Sequence, residues 1–303
     1  MTRTLTIIGA PSSAGAYAPG QEKAPAAFRS HGLVGALRAR GRSVVDRGDV
    51  AHFRWRPDPA HPKRANLSAV RAAAKAVAEA TSDAIAQDHD VLVLGGDCTV
   101  ALGTVAGTAS DGARVGLIYI DLDVDLNAPD TSDGALDWTG VAHMLDIPGS
   151  ADDLSRLAGR RPMLPPSAVL FFAADNISPP ECETMQRLNL ACIRLSEVKA
   201  DPAAAASRAV TWAQAFDRLL VHLDVDVLEY VDFPIAENVR RAPGLKFSEL
   251  SIVLPRLLAA PHFRALTITE VNPEHAPDAA ETFTALNELL STAFAEPPQA
   301  AEI

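Results

Sequence analysis

The sequence predicts an α/β fold, a three-layer α/β/α sandwich around a mostly parallel central sheet. Short apolar runs recur along the chain, as strands buried on both faces require. Stretches with apolar residues at helical spacing separate them, and that alternation builds crossover-connected parallel sheets. Three of the runs end in acidic or thiol groups, and open α/β sheets place their sites at the C-terminal ends of strands. No internal repeat and no linker interrupts the pattern, so residues 1–295 are expected to form one domain and residues 296–303 a disordered tail.

The first run, residues 5–8, leads into a loop from Gly9 to Gly20 rich in turn formers. Such a length between strand and helix in a compact domain points to function. Its glycines lack the Gly-Lys-Ser/Thr and Gly-x-Gly-x-x-Gly spacings that cradle phosphates, which argues against a nucleotide. Residues 24–40 read as one helix and 43–46 as a strand. A Pro- and Arg-rich surface loop covers 53–66, and an Ala-rich helix follows over 67–87 with Val70, Ala74, Val77 and Ile85 at helical spacing. Strand 91–94 runs into Gly95-Gly96-Asp97-Cys98, with a helix starting at Thr99. Next come strand 115–120, a polar loop over 128–139, a helix carrying His143 and Met144, and a connection over 149–167. Residues 168–172 and 191–195 read as strands, and 201–217 as a helix opened by Asp201-Pro202. Strand 219–223, loop 229–243, helix 247–259, strand 265–269 and helix 279–294 complete the series.

Composition narrows the function classes. Hydrophobic content of 48% with 21% charged residues describes an ordinary globular chain with ample core. A net charge of −11 argues against nucleic acid and anionic membranes as partners. No apolar run approaches the roughly 20 residues of a membrane helix. Three cysteines make no disulfide framework, and Met1 runs almost directly into the first strand without room for a signal peptide. A cytoplasmic protein is expected.

The run at 115–120 ends in Asp121, Asp123 and Asp125, and alternation in an extended segment places all three on one side. Carboxylates that close repel one another unless a cation lies among them, so a divalent metal is the economical reading. The run at 219–223 repeats the design with Asp224 and Asp226. Cys98 reads as a ligand rather than a packing residue, because it follows a Gly-Gly-Asp turn at a strand end; a thiolate favours zinc or iron over manganese. His222 is expected on the face opposite Asp224, or at best beside it, and His143 is a distant candidate proton carrier.

These motifs resemble the ureohydrolase family of arginases and agmatinases, over nearly the whole chain. Gly9-Ala10-Pro11 with Gly20 and Ala24-Pro25 resembles the family's first loop, and Gly48-Asp49 its Gly-Asp. Gly95-Gly96-Asp97-Cys98 resembles Gly-Gly-Asp-His, and Asp121-Leu122-Asp123-Val124-Asp125-Leu126-Asn127 resembles Asp-Ala-His-x-Asp-x-Asn. Asp224-Val225-Asp226 resembles Asp-x-Asp, and Glu270-Val271-Asn272-Pro273 matches Glu-Val-Asn-Pro without change. The resemblance implies an arginase-like fold that hydrolyses guanidinium groups at a dinuclear manganese centre. Cys98, Asp121, Asp123, Asp125, Asp224 and Asp226 would then hold two divalent ions, with Asp121 and Asp224 bridging them. The metals implied are manganese, with zinc or iron(II) as alternatives. Glu270 would pair with the substrate cation, and Asn127 and Asp175 would contact substrate. Trimers or hexamers are common in the family, so a homo-oligomer is expected.

The departures fall in the site. Cys98 and Asp123 stand where the family has its metal-binding histidines. Asp137 stands at the proton-shuttling histidine, and Ala174-Asp175-Asn176-Ile177 lacks the second aspartate of Arg-Asp-x-Asp. Five aspartates and a thiolate carry −6 against +4 for two divalent ions, so either one ligand stays protonated, or the substrate brings positive charge, or the metals bind only in part or not at all. Two functions are therefore expected to compete. One is a metal-dependent hydrolase of a linear C–N bond in a small guanidino or amidino compound other than plain arginine, with Asp137 relaying protons. The other is a catalytically silent relative with a binding or assembly role.

Overall fold

Alternate residues of each strand go to opposite faces of one sheet, and two helical layers receive them. In the computed structural model, residues 3–50, 52–109, 111–239 and 243–295 are described. The eight strands are β1 Leu5–Gly9, β2 Val44–Asp49, β3 Asp90–Leu94, β4 Val115–Ile120, β5 Val169–Ala174, β6 Ala191–Arg194, β7 Arg218–Asp224 and β8 Phe263–Thr269. Their order across the sheet is β2-β1-β3-β8-β7-β4-β5-β6, and every pairing is parallel. Leu92, Leu94, Ile118, Ile120, Leu170 and Phe172 face one layer, and Val91, Val93, Leu117, Tyr119, Val169 and Phe171 the other. Period two thus fills two cores from one set of strands.

The first core packs against α1 Ala24–Ser30 and α2 Leu33–Ala39. The second receives α3 Leu67–Ala86, α4 Val100–Thr108, α5 Gly140–Met144 and α6 Asp152–Ser155, with α7 Pro179–Leu188 packed at its margin. The chain returns to the first core with α8 Leu195–Ala200, α9 Pro202–Ala213, α10 Phe247–Leu258 and α11 Ala279–Ala293. On α10, Leu250, Val253, Leu254 and Leu257 are fully buried at i, i+3, i+4 and i+7, each contributing roughly 1.5–3 kcal/mol by leaving water. After β3 and β4 the chain leaves toward the second core, and after β7 and β8 toward the first. The β3/β8 and β7/β4 boundaries are therefore switch points, where a crevice opens beyond the strand ends.

Four elements differ from the sequence expectation, one being α6, which lies within the connection read over 149–167. Residues 24–40 form two helices, because Gly32 adopts a left-handed φ of 88° between them. α7 is an unexpected helix, started by Ser178 in a capping box with Glu181 and by proline in its first turn. α8 fills residues read as the end of a strand and a connection. The tail expected to be disordered, 296–303, lies outside the described residues. Among the described residues, no helix is long and apolar enough to cross a membrane.

Candidate metal and substrate site

Beyond the ends of β3, β4, β7 and β8 lies a cleft lined by Tyr17, Cys98, Trp138, Asn238 and seven carboxylates, those of Asp121, Asp123, Asp125, Asp137, Asp224, Asp226 and Glu270. The strands aim these groups by parity. Tyr119 in β4 pairs with His222 in β7, which pairs with Thr267 in β8, and Asp224 pairs with Thr269. Residues two apart share a face, so His222 and Asp224 point the same way. Of the two placements expected for His222, opposite Asp224 or beside it, the second is observed. The ring of His222 stacks on Tyr119 with centroids 4.1 Å apart, and its Nε2 lies 3.5 Å from Cys98 Sγ and 3.4 Å from Thr269 Oγ1.

Both Asp-x-Asp segments bend in the same way. The Asp123 amide donates to Asp121 Oδ1 at 2.8 Å, and the Asp226 amide donates to Asp224 Oδ1 at 2.7 Å. These local turns double the chain back at the strand end, so each pair enters the cleft without an extended backbone. Donor atoms then fall into three groups, each within 4.8 Å: Cys98, Asp121, His222 and Asp224; Cys98, Asp137 and Glu270; and Asp121, Asp123 and Asp226. Asp121 is the member common to the two aspartate-rich groups, whereas Asp224 belongs to one of them. Asp125 lines the cleft but joins no group: its backbone has turned to φ 48°, and its Oδ2 accepts from the Tyr119 hydroxyl at 2.5 Å. The extended alternation expected of Asp121, Asp123 and Asp125 stops after the strand.

Close backbone approaches fix the loops around the cleft. A Cβ on Gly96 would lie 1.7 Å from the Ser12 carbonyl oxygen, so only glycine lets the β3 turn meet the first loop. Buried Asp97 ties the same two segments, accepting from the Gly15 amide at 2.9 Å and the Thr99 amide at 3.0 Å. The Cys98 amide donates to Asp137 Oδ1 at 2.7 Å. Glu270 sits at φ 64°, a conformation unusual for a residue with a side chain, and its amide donates to the Gly96 carbonyl at 2.9 Å. Gln21 Nε2 donates to Glu270 Oε2 at 3.1 Å, while Glu270 Oε1 is buried without a hydrogen-bond partner.

Two expected substrate contacts lie elsewhere. Asn127 donates from Nδ2 to Glu181 Oε1 at 2.9 Å, which ties the aspartate loop to the start of α7, and it does not line the cleft. Asp175 is exposed and also outside the lining. Its neighbour Asn176 instead donates to Asp123 Oδ1. His143, the distant candidate proton carrier, is buried on α5 with Nδ1 2.6 Å from the Thr139 carbonyl and is not in the cleft wall. Sequence reasoning missed Tyr17, Trp138 and Asn238. Tyr17 and Trp138 stand with ring centroids 6.1 Å apart, and Asn238 donates to Asp226 Oδ2 at 3.0 Å. Trp138 directly follows Asp137, and that adjacency is the signal that could have found it.

Electrostatics in the cleft run one way. Burial, reinforced by neighbouring aspartates, pushes the carboxyls of Asp121, Asp224 and Glu270 well above their ordinary range. Burial likewise raises Asp125 and Asp137, and it raises the Cys98 thiol with Asp224 adding to the effect. His222 is pushed down to about 3 by burial, so its imidazole is neutral. Among the described residues, the cleft wall contains no Lys or Arg to offset the carboxylates. Such an arrangement accepts cations: divalent ions among the donor groups, and an organic cation at Glu270.

Comparison with known proteins identifies the fold and the family. The arginase of Brevibacillus brevis is 28% identical over 284 residues, covering 90% of this chain and 92% of that protein. The arginase structure from Bacillus caldovelox superposes with a TM-score of 0.88 at 23% identity, covering 98% of this chain and 100% of the other. The formimidoylglutamase structure from Bacillus subtilis gives a TM-score of 0.74 at 17% identity, covering 97% and 87%. The pattern that defines the arginase family matches residues 3–295, and the chain belongs to that family.

Proposed function

We propose that this protein is a metal-dependent hydrolase that cleaves a linear C–N bond in a small guanidino or amidino compound. The observation that carries the reading is the cleft of seven carboxylates, which among the described residues has no basic residue in its wall. Carboxylates so placed are sustained by protons or by cations. The donor groups fit divalent ions. Cys98, Asp121, His222 and Asp224 would hold one, and Asp121, Asp123 and Asp226 the other, with manganese the metal implied by family. Such a pair supplies Lewis acidity and lowers the pKa of the attacking water.

The chain's own groups do the rest. Glu270 Oε1, buried and without a partner, is available to a planar cation, while Gln21 holds the other oxygen. Asp137, fixed by the Cys98 amide and favoured in its protonated form by burial, would hand a proton to the leaving amine. Tyr17 and Trp138 flank the reacting centre and limit water. Asp175 is exposed outside the lining, so no second carboxylate from that strand end receives an α-ammonium group. Guanidino compounds lacking arginine's amino-acid head are therefore the favoured substrates.

Replacement of two histidines by Cys98 and Asp123 supports the competing reading, a silent relative with a binding role. Urea and ammonia release decides between them, measured on metal-loaded protein across guanidino acids, agmatine, N-hydroxyguanidines and arginine. Release from one of the first three classes with poor turnover of arginine is the expected result. Silence across the panel with metal bound would establish the silent relative, and efficient arginine hydrolysis would refute the substrate assignment.

A further inference from the structure

The polarity of His222 has no use in packing. Its ring is 1% exposed and stacked on Tyr119, a role that phenylalanine would fill as well. Nδ1 has no hydrogen-bond partner, and Nε2 faces Cys98 and Thr269. Four different side chains meet there: Cys98 Sγ, His222 and the carboxylates of Asp121 and Asp224 come within 4.8 Å of one another, all buried. A tetrahedral ion with sulfur at about 2.3 Å and nitrogen at about 2.0–2.1 Å sets those two atoms about 3.5 Å apart. The separation of Cys98 Sγ and His222 Nε2 is 3.5 Å, and Cys98 Sγ lies 3.0 Å from Asp224 Oδ2. Glu270, in the wall of the same cleft, keeps a buried oxygen unpartnered.

We propose that His222 supplies the imidazole that Cys98 displaced, making Cys98, His222, Asp121 and Asp224 a mixed sulfur, nitrogen and oxygen site selective for zinc or iron(II) over manganese. Softness of the donors sets the preference. Thiolate and imidazole suit zinc and iron, whereas manganese prefers an oxygen-rich set such as Asp121, Asp123 and Asp226. The two cation positions of this chain therefore differ in the metal they prefer, and a mixed pair results. The inference rests on the cation-dependent reading above, but not on the reaction.

The test uses the whole chain stripped of metal and titrated with cobalt(II), then with one equivalent of zinc. Wild type should show a sulfur-to-cobalt charge-transfer band that is absent in Cys98→Ser. His222→Phe keeps the stack on Tyr119 and should weaken cobalt binding by more than about 100-fold, beyond the roughly 10–100-fold that loss of an outer partner costs. X-ray absorption at the zinc edge of the wild type needs no variant and should show one sulfur and one imidazole. Zinc should displace manganese from this position. Cobalt bound without the sulfur band, or zinc without imidazole, would overturn the proposal. Those signatures in a protein that releases no urea or ammonia would uphold the site while defeating the hydrolase reading.

Discussion

Glu270 occupies a left-handed backbone position, and three backbone and side-chain bonds keep it there: its amide to Gly96, its carbonyl from the Glu237 amide, and Gln21 to its carboxylate. Strain of this kind, of order 1–3 kcal/mol, persists where surroundings over-determine it. Under the proposed function, the charge and not the shape is what the residue would contribute to catalysis. Glu270→Gln should lower kcat/KM by about 100-fold or more, in the range of a lost charge-assisted contact, with the melting temperature unchanged or higher because a mutually repelled carboxylate is gone. A rate loss matched by an equal loss of folding would assign Glu270 to structure instead. His143 makes the opposite kind of statement, about stability alone. Burial holds its imidazole at about 4 against an ordinary 6.5. As pH falls below about 6.5 the unfolded chain takes the proton first, and the folded chain follows only near 4. Stability is thus fully present above that window and declines through it, by up to about 3 kcal/mol. Urea unfolding at pH 7, 5.5 and 4.5 should show a shallower decline in His143→Phe than in wild type; parallel declines would mean that His143 is not the group responsible.

At the scale of elements, the cleft is a property of strand ends that bend. The Asx-type turns at Asp121 and Asp224 bring the second aspartate of each pair alongside the first, and Asp121 alone joins both aspartate-rich groups. Asp121→Ala should therefore abolish binding of both cations, whereas Asp123→Ala should leave about one per chain, counted by plasma emission after dialysis. Equal losses in the two variants would contradict the shared role of Asp121. Most of the strands were legible as short apolar runs, while β2 showed only Val44 and Val45 before its charged residues. α7 was not: most of its residues are polar or exposed, and its start is written only in the Ser178-Glu181 capping box. The extended reading of residues 121–125 failed because periodicity describes a strand and not the turn that ends it. Asn127 and Asp175 were placed by motif alone, and of the side chains that hold the aspartate loop, Asn176 carries no spacing signal while the spacing of Glu181 from Ser178 points only to a helix start. Trp138 could have been noticed beside Asp137, yet nothing in one sequence says which way a ring points.

At the scale of the whole molecule, the two cores meet at the sheet, and the cleft spans four central strands whose connections leave to both layers. A cation bound there ties β3, β4 and β7, drawn from distant parts of the chain, and it binds the folded state alone. Loading should raise the melting temperature, equivalent to about 2.7 kcal/mol at one hundred times Kd. Calorimetric scans with and without chelator check this, and coincident transitions would mean that the folded chain holds no cation tightly.

The two outer strands have a further consequence. β2 presents Asp46, Arg47 and Asp49 along its open side, and β6 is only four residues long and ends in Arg194. Charged or brief margins of this kind resist the addition of a foreign strand. Copies of this chain that associate are thus steered away from a continuous sheet and its open-ended growth. Helices and loops are left as the contact surfaces, and these can close a ring about a symmetry axis.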